Sequence, residues 1–380
     1  MRNGWVLLFI LMLGCLPASA YDHKYAAEFL NIGVGARAGA MGGAFSAVAD
    51  DASAGYWNPA GLRLLSRRQI GLMHSAQFGN EVKYDYLVFG SPGGVESYGV
   101  SLIRMGIDDI PYTEDAFHDW GMDNIPPGSP GDDGSDDYDP ATNPDGTEGN
   151  GTWDPYDSTF PDLPGEGIDE GAIEYKSDVE MALLVTYAKT IGALSAGANA
   201  KLIRQGIGDA SLLGLGGDDT MFGFGVDLGL LYQIRPWWRT AAVLRDAVGT
   251  LLVWNNGTRN TKTPTLTVGN AVFARAASNQ VRLTVAADVD LRFEGRETAS
   301  QFSTGALSAD LRIGGEIAYR EAIALRAGLQ PSSRDKEPYG RAWDLTLGAG
   351  LSFRGMMLDY AFSEHRVFDQ THKVSLGLLL

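Results

Sequence analysis

From about residue 66 onward, apolar residues occupy every second position in long stretches of the chain. Successive side chains of a β-strand point to opposite faces, so this period predicts strands with one apolar and one polar face. The clearest case is 279–292, in which Val281, Leu283, Val285 and Val289 alternate with Arg282, Thr284, Asp288 and Asp290. Fourteen such stretches are present, at 67–78, 82–91, 95–105, 176–191, 193–205, 221–234, 237–247, 264–275, 279–292, 308–319, 321–330, 341–353, 355–363 and 371–380.

The links between these stretches alternate between short and long. Short links fall at 91–94, 190–193, 234–237, 276–279, 319–321 and 353–356. Long links fall at 106–175, 206–220, 248–263, 293–307, 331–340 and 364–370. Membrane barrels have short periplasmic turns and long extracellular loops, and a strand of about 9–11 residues crosses the bilayer. The first link, near 79–80, is the one exception because it is short where a long loop is expected.

These features predict an all-β fold, a 14-stranded antiparallel outer-membrane β-barrel. In lipid every backbone N–H and C=O needs a partner, which only a closed sheet provides. Fourteen strands enclose more space than their own side chains fill. Residues 21–65 precede the strands and do not alternate, so we expect them to form a hatch, or plug, inside the barrel formed by 66–380.

Charged residues are expected on the inner face of the barrel. The polar set of alternate positions includes Asp288, Asp310, Arg312, Glu316 and Arg326. Buried charges persist when they are paired or in contact with water. Two interpretations therefore stay open: a network of ion pairs that stiffens the wall, or a polar pathway.

The net charge of −17 comes mainly from one segment. Between Arg104 and Lys176 there are 20 acidic residues and no Lys or Arg. We expect residues 106–175 to form a long acidic extracellular loop, and the acidity argues against nucleic acid as a partner. Carboxylates of this loop could bind calcium, although the EF-hand pattern fails. The candidate ligands are Asp132, Asp133, Asp136, Asp137 and Asp139.

The first twenty residues have the features of a cleaved signal peptide. Arg2 precedes a short apolar run, and Ala18-Ser19-Ala20 forms a small-residue cleavage site. The alternative is a lipoprotein signal ending at Cys15, the one cysteine of the chain. Either signal predicts export, and with the barrel pattern it predicts the outer membrane as the location, with multiple passes.

Residues 28–62 closely resemble the start of PorV/PorQ-family proteins, a branch of the fatty-acid-transporter (FadL-type) barrels. Three pieces carry the resemblance: Gly-Ala-Arg at 35–37, Met-Gly-Gly-Ala-Phe at 41–45 and Trp-Asn-Pro-Ala-Gly-Leu at 57–62. Two segments near the chain end, 358–362 and 371–378, fit the same family. The hatch residues singled out by this motif are Gly33, Gly35, Arg37, Gly39, Met41, Gly42, Gly43, Asp50, Asp51, Trp57, Asn58, Pro59, Ala60 and Gly61. Arg37 could pair with Asp50 or Asp51, or with charges of the lumen.

The resemblance implies two different functions. PorV-like proteins are components of type IX protein secretion and surface attachment, which implies secretion-system subunits and secreted proteins as partners. FadL-type proteins are uptake channels, which implies a hydrophobic small molecule as ligand. Outer-membrane lipid is a partner in both cases. No catalytic constellation and no metal-ligand spacing among the five histidines is present, so we expect no enzyme and no cofactor apart from calcium in the acidic loop.

Overall fold

The computed structural model describes residues 27–77, 81–112, 142–143, 174–207, 219–295, 300–332, 343–364 and 370–380. The expected signal peptide and the five candidate calcium aspartates lie outside these residues. Seventeen strands are present in the described part: β1 Gln69–Gln77, β2 Val82–Pro92, β3 Glu96–Tyr112, β4 Glu174–Ile191, β5 Leu194–Ile207, β6 Asp219–Arg235, β7 Trp238–Arg245, β8 Thr250–Trp254, β9 Arg259–Lys262, β10 Thr265–Ala276, β11 Val281–Arg292, β12 Phe302–Ser303, β13 Ser308–Tyr319, β14 Ile323–Pro331, β15 Trp343–Phe353, β16 Met356–Ser363 and β17 Thr371–Leu379.

Fourteen of these strands form a closed antiparallel ring, as the alternation predicts. In this ring, each strand pairs with the next ring strand along the chain. Because β8, β9 and β12 lie outside the ring, β7 pairs with β10 and β11 pairs with β13. The ring closes where β1 pairs with β17, from Gln69 opposite Leu379 to Ala76 opposite His372. The closure removes both sheet edges, which is the condition for a sheet to lie in lipid.

The long links at 248–263 and 293–307 contain short strands that the alternation does not predict. The strands β8 and β9 form a hairpin in the first loop, and β8 continues the line of β7 along β6, opposite Met221–Phe224. Residues 246–249 interrupt that line and are the reason why the alternation breaks there. In the second loop the two-residue strand β12 pairs with β13. The third strand also runs on to Tyr112, beyond the predicted end at 105.

The two faces of the wall match the sequence pattern. On β11, Val285 is 60% exposed on the outer face, whereas Asp288 and Asp290 are buried on the inner face. Large apolar residues of the other strands are exposed in the same way, including Leu72, Leu325, Leu347 and Leu376. This outward apolar surface is the face that the fold presents to lipid. None of the described helices is long and apolar enough to cross a membrane.

The chain divides into two compact units, Met1–Ile107 with Asp178–Leu380, and Asp108–Ser177. The first unit contains the hatch and most of the barrel. The second contains the acidic segment, in which only the strand ends and residues 142–143 are described.

Residues 27–65 form a compact plug of short helical turns. Its elements are the 3-10 helix Glu28–Asn31, the α-helices Ala36–Ala40 and Ala54–Trp57, and the 3-10 helix Pro59–Leu64. Gly33 and Gly35 have φ of 82° and 81°, which lets the chain turn sharply before the first α-helix. Most residues of this segment are buried, including Val34, Met41, Phe45 and Leu62. The plug thus provides the apolar core that a hollow barrel lacks.

Candidate functional site

Glycines of the inner wall are the contact points between barrel and plug. A Cβ added at Gly314 would lie closer than 3.0 Å to the backbone of Met41, and one at Gly328 would overlap the Met41–Gly42 backbone. At Gly348 it would overlap Ala40. The same holds for Gly197, Gly229 and Gly269, which face Pro59–Ala60, Asn58–Pro59 and Ser46. These six glycines lie on β5, β6, β10, β13, β14 and β15, so the hatch is seated against the wall on several sides.

Asn58 fixes the corner between the last two helices of the hatch. Its side-chain amide donates to the carbonyl oxygens of Ser46 at 2.9 Å and Leu230 at 3.2 Å, and its Oδ1 accepts from the Ala60 amide at 3.0 Å. Asn58 is fully buried, so these bonds satisfy groups that have no access to water. The following Pro59 is the first residue of its helix, where a missing N–H costs nothing. The Asn-Pro-Ala motif therefore joins two parts of the hatch to strand β6.

Trp57 packs at the centre of the hatch. Its ring contacts Tyr56 and Phe45 edge-on, at centroid distances of 5.0 and 6.1 Å. Its indole Nε1 donates to the Val34 carbonyl at 3.0 Å. A Cβ at Gly33 or Gly43 would lie 3.2 Å from the indole, so glycine at both positions makes room for this ring.

Arg37 links the hatch to the charged side of the wall. Its guanidinium lies 2.6 Å from Asp50, 3.2 Å from Asp51 and 2.9 Å from Glu316. Glu316 in turn accepts from Arg326 at 2.8 Å and from Arg282 at 3.1 Å, and its side chain is 1% exposed. Arg37 therefore pairs both within the hatch and with the lumen.

The pKa values of Arg37 and Asp51 are both raised, but for different reasons. Burial would lower the pKa of Arg37, but the charges of Asp50, Glu316 and Asp51 outweigh it and raise this pKa well above its ordinary value. Burial raises the pKa of Asp51, and the Arg37 charge and the Ser53 hydrogen bonds offset only part of that rise. Arg37 is thus a permanent cation of the network.

Further polar contacts hold the rest of the hatch. Asp288 accepts from the backbone amides of Phe45 and Ser46 at 3.0 and 2.9 Å. Lys373 donates to the carbonyls of Ile32 and Gly33 at 3.2 and 2.9 Å. Since these partners are backbone groups, many hatch sequences could satisfy them, and the sequence pattern alone did not reveal them.

Arg63 ties the end of the hatch to a short turn of the barrel. Its guanidinium donates to the carbonyls of Gly93, Gly94 and Glu96, at 2.9, 2.8 and 2.7 Å. The turn between β2 and β3 lies at the end that the loop lengths assign to the periplasm. The hatch therefore leads into β1 at that end of the barrel.

The inner wall has an apolar sector and a charged sector. Large buried apolar side chains concentrate on β1–β6 and β8, and they include Met73, Tyr84, Tyr86, Val88, Ile103, Leu184, Ile203, Met221 and Leu252. Ion pairs concentrate on β11 and β13–β16, for example Arg312 with Asp290 at 2.5 Å and Arg326 with Asp359 at 2.6 Å. A second buried group, Lys201 with Asp227 at 2.8 Å, lies on β5 and β6. The apolar sector packs against Phe29, Leu30 and Tyr56 of the hatch.

A cavity of about 200 Å³ lies between the hatch and the wall. One side is lined by Arg37, Asp51 and Glu316, and the other by Gly71, Met73 and Gly377. Residues of the short turn after β13, Glu321 and Ala322, also line it. This places the cavity at the short-turn end of the barrel, below the Arg37 network. Its lining is part apolar and part charged, and it shares Met73, Tyr86 and Val88 with the apolar cluster of the lumen.

The structure brings the hatch residues of the motif together in one packed unit, but it separates their roles. Arg37, Asp50 and Asp51 form the ion network, whereas Gly42, Asn58, Pro59 and Ala60 seat against wall glycines. Gly39 lies beside Lys373, and Gly61 packs against Ala49. The wall glycines and Arg63 were not singled out from the sequence. A signal for the glycines was present, because Gly223, Gly225 and Gly229 share the inward positions of β6.

Among the described residues, no group of three or more His, Cys, Asp and Glu side chains is arranged to hold a metal ion. The calcium hypothesis concerns aspartates outside those residues, so it stays a prediction.

Comparison with known proteins agrees with the barrel. A model of an uncharacterised protein family (UPF0164) matches residues 17–117. A search of curated proteins found no match.

Several solved structures are similar over almost their whole length. The toluene transporter TodX of Pseudomonas putida has a TM-score of 0.54 at 14% identity, covering 92% of this chain and 99% of TodX. The monoaromatic hydrocarbon channel CymD has a TM-score of 0.55 at 14% identity, with 92% and 98% covered. The toluene transporter TbuX of Ralstonia pickettii has a TM-score of 0.51 at 15% identity, with 91% and 97% covered.

These three proteins are described as channels and transporters. The matches give no support to the narrower PorV/PorQ resemblance. They show that the chain has the FadL-type fold of outer-membrane β-barrels, a closed ring of fourteen strands.

Proposed function

We propose that this protein is an outer-membrane channel for uptake of a hydrophobic small molecule. The observation that carries the proposal is the apolar sector of the lumen, which packs against the aromatic and aliphatic side chains of the hatch. Apolar surface enclosed in a barrel accommodates apolar ligands, because transfer of such a ligand from water to an apolar site is favourable. The similar barrels are described as carriers of toluene and other monoaromatic hydrocarbons, which supports the same ligand class.

The secretion role has less support. It would be favoured by a polar lumen that offers no apolar surface to a ligand, and the described lumen is apolar over much of β1–β6. Protein secretion would also depend on large external loops, and most of these residues lie outside the described part. A pull-down from native membranes that recovers secretion-machine subunits would support the secretion role.

The proposed passage runs along β1 and β2. Met73 and Tyr86 are cross-strand partners on these strands, and both belong to the apolar cluster and line the 200 Å³ cavity. They therefore join the upper apolar lumen to the cavity at the short-turn end. Met73 also contacts the hatch, where its sulfur lies 3.0 Å from the Gly35 amide. We infer that a ligand passes on this side of the hatch, because the cavity and the apolar cluster meet there.

Uptake by proteoliposomes or by cells that express the protein tests the proposal. We expect entry of radiolabelled toluene to rise with the protein, and we expect Met73→Trp to reduce it because the larger ring fills the passage. Val285→Trp is the matched control, since Val285 is 60% exposed on the outer face of β11. Equal reduction by both variants, or protein-dependent entry of a small sugar at the same rate as toluene, would contradict a hydrophobic channel.

A further inference from the structure

Basic residues collect at the short-turn end of the barrel, all of whose turns lie in the described part of the chain. Nine Lys and Arg side chains, but only the two acidic ones of Glu96 and Glu321, fall within residues 66–69, 91–97, 189–195, 233–239, 275–282, 319–323 and 352–357. This end of the barrel therefore has a surplus of positive charge.

Three of the nine cations are engaged by partners in the protein. Lys189 pairs with Glu96, Arg282 pairs with Glu316, and Arg239 stacks on a ring of the inner wall. The other six are exposed, and none of them forms an ion pair with another described residue. They are Arg67, Arg68, Arg235, Arg275, Arg320 and Arg354.

Two of these six, Arg320 and Arg354, lie at the outer circumference of the barrel. The guanidinium of Arg320 lies 5.2 Å from the ring centre of Tyr319, and that of Arg354 lies 5.1 Å from the ring centre of Phe353. Both rings are exposed and end the outward sets of β13 and β15. The two cations are therefore held against the lipid-facing side of the wall.

The turns that carry the two arginines are neighbours, because the Ser352 amide donates to the Ala322 carbonyl at 2.7 Å. Two acids lie near them. Glu321 lines the cavity inside the barrel, and the carboxylate of Leu380 lies at the start of β1, where the Leu380 amide donates to the Arg68 carbonyl. With both acids counted, this sector still has four exposed arginines, which are Arg67, Arg68, Arg320 and Arg354.

The outer wall next to the two arginines is apolar. Its lowest rows follow the cross-strand pairs of β13–β16, and four of their side chains are 51–69% exposed. These are Ile323, Leu351, Phe353 and Met356. An exposed apolar strip that ends at exposed cations matches a molecule with hydrocarbon chains and an anionic head.

We propose that the turns after β13 and β15 bind the phosphate of one anionic phospholipid of the inner leaflet, with an acyl chain along Ile323 and Leu351. A guanidinium binds phosphate oxygens through two parallel N–H groups, and two guanidinium groups on adjacent turns face one headgroup. Stacking on outward rings holds both at the depth of the headgroups, which favours a lipid over a soluble acidic protein. The site lies outside the lumen and does not depend on the transported molecule.

Native mass spectrometry of the detergent-purified full chain tests the proposal. Phosphatidylglycerol and phosphatidylcholine with identical acyl chains are added in turn, and the lipid-bound fraction is measured. We expect one phosphatidylglycerol to bind in preference. In the double variant Arg320→Gln/Arg354→Gln, its affinity should fall about fivefold for each arginine, the equivalent of ~1 kcal/mol per cation near a membrane surface. Binding of phosphatidylcholine should not change.

The matched control, Arg235→Gln/Arg275→Gln, removes two exposed arginines of the same end, in the turn after β6 and at the end of β10. It should retain the preference for phosphatidylglycerol. Equal losses in both double variants would show diffuse attraction to the whole rim and overturn the proposal. Unchanged binding of phosphatidylglycerol by the Arg320/Arg354 variant would overturn it too, and would leave a soluble acidic protein as the partner of these cations.

Unfolding in urea shows that the variants are folded. In vesicles of phosphatidylcholine alone, the Arg320/Arg354 variant should have the same free energy of unfolding as the unchanged protein, because its arginines have no anionic partner there. In vesicles that contain phosphatidylglycerol, the unchanged protein should be the more stable of the two, since a ligand that binds the folded state stabilises it. Equal stability in both kinds of vesicle would contradict the lipid site.

Discussion

At the scale of single residues, Arg37 is the hatch residue that joins the plug to the charged side of the wall. Its guanidinium is the shared partner of two hatch carboxylates and of the buried Glu316. A planar guanidinium can serve three carboxylates at once, which a lysine ammonium does with poorer geometry. The residue thus joins a loop of the plug to the far strands of the barrel.

We expect Arg37→Gln to destabilise the folded protein by about 3 kcal/mol, because removal of one partner leaves buried carboxylates uncompensated. Arg37→Lys should lose less, since it keeps the charge. The free energy of unfolding in urea, with the protein in lipid vesicles, measures the difference. Arg320→Gln in an exposed turn serves as the control. An unchanged unfolding free energy for Arg37→Gln would show that the ion-pair network does not stabilise the packing of the hatch in the barrel.

At the scale of elements, the hatch packs closely against the strands at wall positions where the residue is glycine and has no side chain. Gly314 on β13 faces the Met41 backbone, whereas its neighbour Gly315 points the other way and would place a Cβ 3.7 Å from the nearest atom. The two glycines differ by one position, so they separate the effect of the hatch contact from the general effect of glycine in a strand.

We expect Gly314→Ala to shift or loosen the hatch and to cost about 1–3 kcal/mol, the usual range for overpacking a close contact. Gly315→Ala should be neutral or slightly stabilising, because alanine restricts the unfolded chain. Limited proteolysis of the hatch and urea unfolding provide the measurements. Similar values for the two variants would argue against the seating of the hatch on Gly314.

The sequence predicts the strands well because a barrel wall has different solvents on its two faces. One face of a ring strand contacts lipid and the other faces the lumen, which produces the alternation of apolar and polar residues. The limits of β11 and β13 therefore lie within two residues of the predicted ones. The hatch seats could not be predicted in the same way. They depend on which strand faces Met41 or Asn58 across the lumen, and a single sequence contains no signal for pairs so far apart. The β8–β9 hairpin was missed because Leu251-Leu252-Val253 is an apolar run without alternation.

At the scale of the whole molecule, charge is distributed unevenly. The acidic segment between Arg104 and Lys176 holds 20 of the 47 acidic residues, and the rest of the chain is close to neutral. The barrel can therefore pair its charges internally, while the acidic segment has no cation of its own.

We predict that millimolar calcium protects the acidic segment from proteolysis, since dense carboxylates without a rigid EF-hand bind this ion weakly. Replacement of Asp132, Asp133, Asp136, Asp137 and Asp139 by Asn should abolish the protection. Magnesium at the same concentration is the control for general charge screening. Identical cleavage with and without calcium would rule out a calcium site in this segment.

The Arg63 contact with the β2–β3 turn has a consequence for biogenesis. The plug is translated before the wall, and its last residue leads straight into β1, the strand that must meet β17 to seal the cylinder. Because Arg63 binds the β2–β3 turn from inside the barrel, we expect the remaining strands to be added around an occupied interior. We then expect the pairing of β1 with β17 to form last, and to fail in a chain whose hatch residues 27–65 do not pack.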